Sequence, residues 1–301
     1  MEMSTTAATW TRGCYMLYFP SLTSGPIISY ERYSARRESK GWLCLLQSLL
    51  RCVFWWMVVQ FVFHYIYIYQ MTQDVEVVSW MSSPLWCYTI AYFLGKFFNI
   101  FYMIIYGMGK AFAEHDGIPA PPNPRCIGRI HFYSNMWKHF DSGLYEFLFK
   151  HIYKEVCNKD SSILVKVWGT TLTFAFVYVW HGSYVNVFIW SALNCLCILA
   201  EKFYKIMIST AAYQQWMHRH LGIGGTQRFN ALLATQIFIP AAFSNMYFIA
   251  SPELADVLLR CAYLNGVGNY LALTFSIYCF FQCSVIVEES MKHPQLKDKR
   301  T

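Results

Sequence analysis

The sequence predicts an all-α, polytopic transmembrane helical protein, a single domain over residues 1–301 with re-entrant and amphipathic interfacial segments beside its spans. Three observations lead there. Hydrophobic residues make up 56% of the chain and charged residues only 14%, against roughly 25% charged in soluble domains, so the polar surface is too small to cover a water-soluble globule. Six runs approach or exceed the ~20 mainly apolar residues that cross the hydrocarbon core. The charges between those runs alternate in sign bias from one connection to the next, and the 22 Tyr and 11 Trp suit a chain that crosses two aromatic belts.

In chain order, the N-terminus (MEMSTTAATWTRG) lacks the basic-then-apolar layout of a cleaved signal peptide, which leaves insertion to later spans. Tyr15–Tyr30 is apolar but broken by Pro20, Gly25 and Pro26, as expected of a re-entrant or interfacial stretch buried in protein. The predicted spans are Trp42–Tyr69, Leu85–Met108, Ile163–Trp180, Tyr184–Ala200, Phe229–Ile249 and Gly268–Val287. Arg51 in the first and Lys96 in the second must snorkel or face a protein interior, and the short fourth span holds Asn194. Pro119–Arg129 (PAPPNPRCIGR) is too proline-rich to be helical throughout. After it, Met136–Cys157 repeats apolar residues at helical spacing, with Leu144, Phe147, Leu148 and Ile152 on one face. That pattern predicts an amphipathic helix in the leaflet surface.

The net charge of +7 comes from short clusters between apolar runs, a distribution expected of membrane-protein loops and not of nucleic-acid binding. Arg32, Arg36, Arg37 and Lys40 precede the first span. Arg125, Arg129, Lys138, Lys150, Lys154 and Lys159 separate the second from the third. Lys202, Lys205, Arg219 and Arg228 separate the fourth from the fifth, and Lys292, Lys297, Lys299 and Arg300 follow the sixth. The alternate connections are acidic (Asp74, Glu76; Glu253, Asp256) or nearly uncharged. Positive loops stay cytosolic, so both termini are expected in the cytosol and the turn after Trp180 in the lumen. Of the eleven cysteines, seven (Cys44, Cys52, Cys87, Cys195, Cys197, Cys279, Cys283) fall inside apolar runs as small hydrophobes. No CxxC pair has a His partner that would suggest zinc.

His181 is the sharpest chemical signal. It ends the apolar run Val165–Trp180, and an ionisable group at the membrane boundary is a functional-site hypothesis by default. From position alone, an anchor at a helix end beside Trp180 is an equal reading. Asp141 opens the amphipathic stretch in HFDSGLYEFL, where by itself an N-cap is the favoured reading. A basic stretch (Arg125, Arg129, Lys138) can meet phosphates or be ordinary charge bias. Asn245, inside the fifth span, needs a polar partner in lipid.

MWKHFDSGLYEFL at Met136–Leu148, followed by VYVWHGSYVNVFIWSALN at Val177–Asn194, resembles the membrane-bound O-acyltransferase family, in the branch that palmitoylates hedgehog-type signalling proteins. The segment YFPSLTSGPIISY (Tyr18–Tyr30) resembles a membrane-dipping stretch of that branch, and the resemblance extends to about Glu289. It implies an MBOAT-like core and an enzyme, with His181 at the catalytic position and Asp141 as its acidic partner. The implied reaction moves a palmitoyl group from palmitoyl-CoA to the N-terminal cysteine amine of a secreted signalling protein, in a multi-pass endoplasmic reticulum (or Golgi) membrane protein embedded in membrane lipid. That amine must be neutral to attack a thioester, and an imidazole suits the base that makes it so. The resemblance further implies an acyl site at Trp137, a chamber position at Asn245 and a haem b iron ligand at Cys126, where the residues alone favour a free or acylated cysteine. Full-length chains of that family carry further N-terminal helices. Two other readings stand beside this one: O-acylation of a lipid, sterol or peptide serine, and a non-catalytic scaffold. The ending KDKRT has Lys at the third and fifth positions from the end, similar to a dilysine retrieval signal, or simply a basic tail.

Overall fold

The computed structural model describes residues 5–22, 24–67, 70, 74–80, 83–130 and 132–297, with the backbone alone at 5–8, 129, 289 and 291–297. Ile68 and Tyr69, which close the first predicted span, lie outside these residues, as does KDKRT beyond the backbone of Lys297. Every regular element among the described residues is helical: α1 (Thr5–Met16), α2 (Phe19–Leu22), α3 (Tyr30–Ser34), α4 (Trp42–Tyr65), α5 (Val75–Trp80), α6 (Pro84–His115), α7 (Tyr133–Phe140), α8 (Ser142–Leu148), α9 (Ile163–Trp180), α10 (Val185–Ser209), α11 (Ala211–Ser244), α12 (Met246–Ile249), α13 (Pro252–Leu259) and α14 (Val267–Lys297), with short turns between.

Six stretches are long and apolar enough to cross a membrane: α4, α6, α9, α10, residues Ala211–Ile249 and residues Val267–Glu288. They coincide with the six predicted spans, with corrections at the ends. The second runs on to His115. The fourth extends to Ser209 because Glu201 and Lys205, four apart, pair along the helix at 2.5 Å, so the charges read as a loop belong to the last turns. The fifth begins at Ala211, although Gly222, at φ 66 and ψ 178, breaks the helix and leaves residues 211–221 as a separate segment. Arg51 is exposed on α4, while Lys96 is half-buried and faces protein.

The chain divides into two compact units. The first comprises Met1–Ile66, Phe97–Pro124 and Trp137–Ile152. Its centre is the broken apolar segment: Ile28, Tyr33, Ala113 and Ile118 are buried together, and the Tyr15 hydroxyl donates to Ile28 O at 2.9 Å. Two glycines admit this segment. A Cβ on Gly109 of α6 would stand 2.5 Å from Pro20 O, and one on Gly143 of α8 would collide with Ile27 O and lie 3.1 Å from Ile27 N. Backbone at such close range tolerates no side chain. Arg32 of α3 grips Glu146 of α8 with two bonds of 2.7 and 2.9 Å, and Lys150 pairs with Glu31 beside it. Exposed pairs of this kind are screened by solvent, so they set register more than stability.

The second unit comprises Tyr67–Lys96, Arg125–Met136 and Tyr153–Thr301. In it α10 packs on both α9 and α11, and α11 on α14. Tyr204, Ala231, Ala234 and Phe281 form a core cluster where α10, α11 and α14 meet. The small residues allow close helix approach, the usual basis of helix packing in lipid.

Candidate active site

His181 sits where α9 ends. Its backbone N–H donates to Val177 O at 3.1 Å, and the next two residues turn the chain back with φ +104 at Gly182 and +59 at Ser183. Glycine is needed at 182 because L side chains rarely adopt that φ, and a Cβ there would also stand 2.8 Å from the Tyr184 ring. The tight turn delivers α10 back alongside α9 and holds the imidazole, partly exposed, against a stacked pair of aromatic rings. Trp190 and Phe248 stand edge-on to it, with centroids at 5.4 and 5.0 Å, and they stack on each other at 4.4 Å.

A buried polar network backs this aromatic clamp. The Trp190 indole N–H donates to Asn245 Oδ1 at 3.2 Å, and the Tyr133 hydroxyl reaches the same oxygen at 3.1 Å. Tyr133 also donates to Asn194 Oδ1, while Asn194 Nδ2 donates to Trp190 O at 2.7 Å and Ser244 Oγ at 3.0 Å. Asn194 is completely buried. Asn245 Nδ2 is satisfied by Ala241 O at 3.1 Å, a carbonyl released in the turn where α11 ends. Burial pushes the Tyr133 phenol well above its usual range, so it is a fixed hydroxyl donor at any physiological pH. The two asparagines singled out by their cost in lipid are thus joined through one tyrosine.

Sequence reasoning missed Tyr133, Trp190, Phe248 and Glu201. Glu201, 4% exposed on α10, accepts the Ser134 backbone N–H at 3.0 Å and the Ser134 hydroxyl, besides the Lys205 ammonium. A carboxylate at the first turn of α7 is favourably placed on the helix dipole and anchors the residue after Tyr133. The one available signal was the Glu-x-x-x-Lys spacing closing an apolar run. For the aromatic pair no signal separated function from packing. Replacing Tyr133 with Phe leaves Asn194 Oδ1 without this donor in a dry interior. The protein should lose about 1–3 kcal/mol, read as a lower thermal midpoint in detergent.

Asp141 belongs to the first unit and His181 to the second. Asp141 breaks the predicted amphipathic helix in two: at φ −127 and ψ 87 it is not helical, and its Oδ1 caps α8 by accepting Leu144 N–H at 2.9 Å. Its other oxygen accepts the Tyr106 hydroxyl at 2.7 Å. The N-cap reading therefore holds, and the second bond fixes the carboxylate's orientation. Trp137 and Lys138 lie on α7, partly and fully exposed, and Arg125 is exposed ahead of the turn Ile127–Arg129. The Arg129 side chain lies outside the described residues.

Cys126 is half-buried, and Lys96 Nζ donates to its sulfur at 2.9 Å. A haem beside an axial thiolate needs a flat apolar slot. Here the Lys96 ammonium stands at the sulfur, and Phe280 lies 3.3 Å from where a Cβ on Gly128 would stand, with Cys126 Sγ at 3.5 Å. These contacts do not support a haem at Cys126.

The model of the MBOAT, membrane-bound O-acyltransferase family, matches residues 14–244. The chain is 57% identical over 275 residues to protein-cysteine N-palmitoyltransferase Rasp of Drosophila melanogaster, covering 91% of this chain and 55% of the relative. It is 26% identical over 279 residues to protein-cysteine N-palmitoyltransferase HHAT of Mus musculus, with 89% and 54% covered, and 24% identical over 294 residues to the mouse HHAT-like protein, with 95% and 57% covered. It spans about half the length of these curated relatives. With six apolar helices of spanning length and a family match through most of its length, this chain is a multi-pass membrane protein that belongs to the membrane-bound O-acyltransferase family.

Proposed function

We propose that the chain transfers a palmitoyl group from palmitoyl-CoA to the α-amine of an N-terminal cysteine on a secreted, hedgehog-type signalling protein. The observation that carries this reading is the imidazole of His181, packed edge-on against the stacked Trp190 and Phe248 rings at the end of an apolar helix. The similarity to protein-cysteine N-palmitoyltransferases supports the choice of donor and acceptor. His181 takes the proton as the amine nitrogen attacks the thioester carbonyl. The C–N bond forms, the C–S bond breaks, and the proton leaves with the coenzyme A thiol.

Asp141, oriented by Leu144 N–H and the Tyr106 hydroxyl, is the acidic partner on this reading. Asn245 with Tyr133 lines the reaction chamber, Trp137 meets the acyl chain, and Arg125, Arg129 and Lys138 meet the phosphates of the donor. The positive loops support cytosolic termini, entry of the donor from that side and a lumenal acceptor, in the endoplasmic reticulum membrane. The family match over residues 14–244 enters both compact units, which supports treating them as parts of one membrane domain on this reading.

The test uses microsomes bearing this chain, labelled palmitoyl-CoA and a peptide beginning with Cys, beside the same peptide with a blocked amine. Label on the free amine alone is the expected result. Equal label on a hydroxyl acceptor would favour O-acylation, and none on either would favour a scaffold. Asp141→Asn should slow transfer by about 10–100-fold, because the amide oxygen can still accept Leu144 N–H and its NH2 can donate to the Tyr106 hydroxyl, but the group carries no charge; unchanged rates would remove Asp141 from the reaction.

A further inference from the structure

The first unit contains a cleft of about 710 Å³ that takes no residue from the His181 cluster. Its volume falls in the ~300–1,000 Å³ range of small-molecule sites. Five aromatic side chains line it: Trp10, Tyr18, Phe19, Tyr33 and Phe112. Tyr33 is the floor, 5% exposed and anchored in the core with Ile28, Ala113 and Ile118, and Tyr18 stands edge-on to it at 5.4 Å. Two charges of opposite sign face the same cleft. The Tyr18 hydroxyl donates to Asp116 Oδ2 at 2.7 Å, and the Arg36 guanidinium carbon stands 5.9 Å from the centroid of the Tyr33 ring. Among the described residues no ion pair joins Arg36 to Asp116, and both side chains are exposed.

Aromatic faces beside a carboxylate recognise a quaternary ammonium, and a guanidinium recognises a phosphate diester. Both sit on one tyrosine floor, which matches a zwitterion better than an anion or a cation alone. Asp116 is the first residue beyond α6, a spanning helix, so the cleft opens at the depth where a span meets the headgroups. Its rim is apolar and outward-facing: Trp10, Leu17 and Phe19 are 76%, 74% and 73% exposed. We propose that this cleft binds a choline phospholipid. The trimethylammonium rests against Tyr18 beside Asp116, the phosphate meets Arg36, and the acyl chains leave along Trp10, Leu17 and Phe19. Acyl-CoA is a poor match, because it carries several phosphates and no cation to meet Asp116.

The full chain, purified in detergent, would be equilibrated with equal amounts of dioleoyl phosphatidylcholine, phosphatidylethanolamine and phosphatidylglycerol, and retained lipid counted by native mass spectrometry. Phosphatidylcholine should be retained about fivefold over phosphatidylglycerol, the scale of one aromatic–cation contact. Asp116→Asn should abolish that preference, and Arg36→Gln should lower all three lipids together. Soluble phosphocholine at millimolar concentration should not displace the lipid; if it does, the site is one for a free headgroup and the lipid assignment is overturned. Equal retention of phosphatidylglycerol by the wild type, or an undiminished preference in Asp116→Asn, also overturns it. Should Asp116→Asn fold poorly by thermal midpoint, Trp10→Ala decides, since that side chain is mostly exposed: lower phosphatidylcholine retention supports the site and unchanged retention sinks it.

Discussion

Replacing His181 with alanine should lower palmitoyl transfer by about 10³-fold while the protein stays folded. The reason for the separation lies in the local geometry. The turn after α9 is made by the His181 backbone N–H on Val177 O and by positive φ at Gly182 and Ser183, none of which uses the imidazole. Trp190 remains held by its stack on Phe248 and its bond to Asn245. The lost edge-on contacts are worth only ~1 kcal/mol. The check is acyl-peptide formation from a Cys-terminal peptide, read together with the elution volume and thermal midpoint in detergent. Activity within tenfold of wild type, in a folded variant, would remove the imidazole from the chemistry. His181→Gln, which keeps a polar side chain but has no useful basicity, should be as inactive as alanine.

The second large effect concerns folding. Gly143→Ala adds a single methyl group, yet that methyl would collide with the Ile27 carbonyl oxygen, and backbone cannot rotate away as a side chain can. Either α8 lifts off the broken segment or Ile27 is displaced from beside Ile28, a buried core residue. Overpacking of this kind costs about 1–3 kcal/mol, at the upper end when the obstacle is backbone. Because α8 carries its cap at Asp141, the carboxylate moves with it. The variant should show a lower thermal midpoint, poor recovery from membranes and transfer reduced in proportion to the misplacement of Asp141. Gly268→Ala is the matched control: nothing stands within 4 Å of a Cβ there, and a helical glycine replaced by alanine should be neutral or slightly stabilising. Equal behaviour of the two variants would refute the close-approach account.

Periodicity and apolar length were sufficient for the six spans, because a helix in lipid must satisfy its own backbone and therefore announces itself as a continuous apolar run. They located α9 to the residue, Ile163–Trp180, since Ser162 caps one end and the His-Gly-Ser turn closes the other. They misjudged the end of α10 and the start of α11, where charges were read as loop. Glu201 and Lys205 neutralise each other along the helix, and Ala211–His220 has the polarity of a connection but the hydrogen bonds of a helix. The amphipathic stretch after Met136 was legible as helical and Asp141 as an N-cap, but the separate helix Tyr133–Phe140 ahead of that cap was not.

Residue type and neighbourhood alone pointed to His181 and Asn245, since ionisable and amide groups are costly in an apolar run, whereas Asp141 by itself read as an N-cap and became an acidic partner only through the family resemblance. What those groups touch is a matter of tertiary structure. That Tyr133 joins Asn194 to Asn245, that Phe248 meets the imidazole, and that Glu201 holds Ser134 all link residues from 61 to 112 positions apart, beyond any local pattern. The same holds for the cleft over Tyr33, where Asp116 meets Tyr18 from 98 residues away. Local sequence determines which segments enter the membrane, because transfer to lipid is decided segment by segment. Only packing decides which polar groups find each other, because that depends on which helices become neighbours.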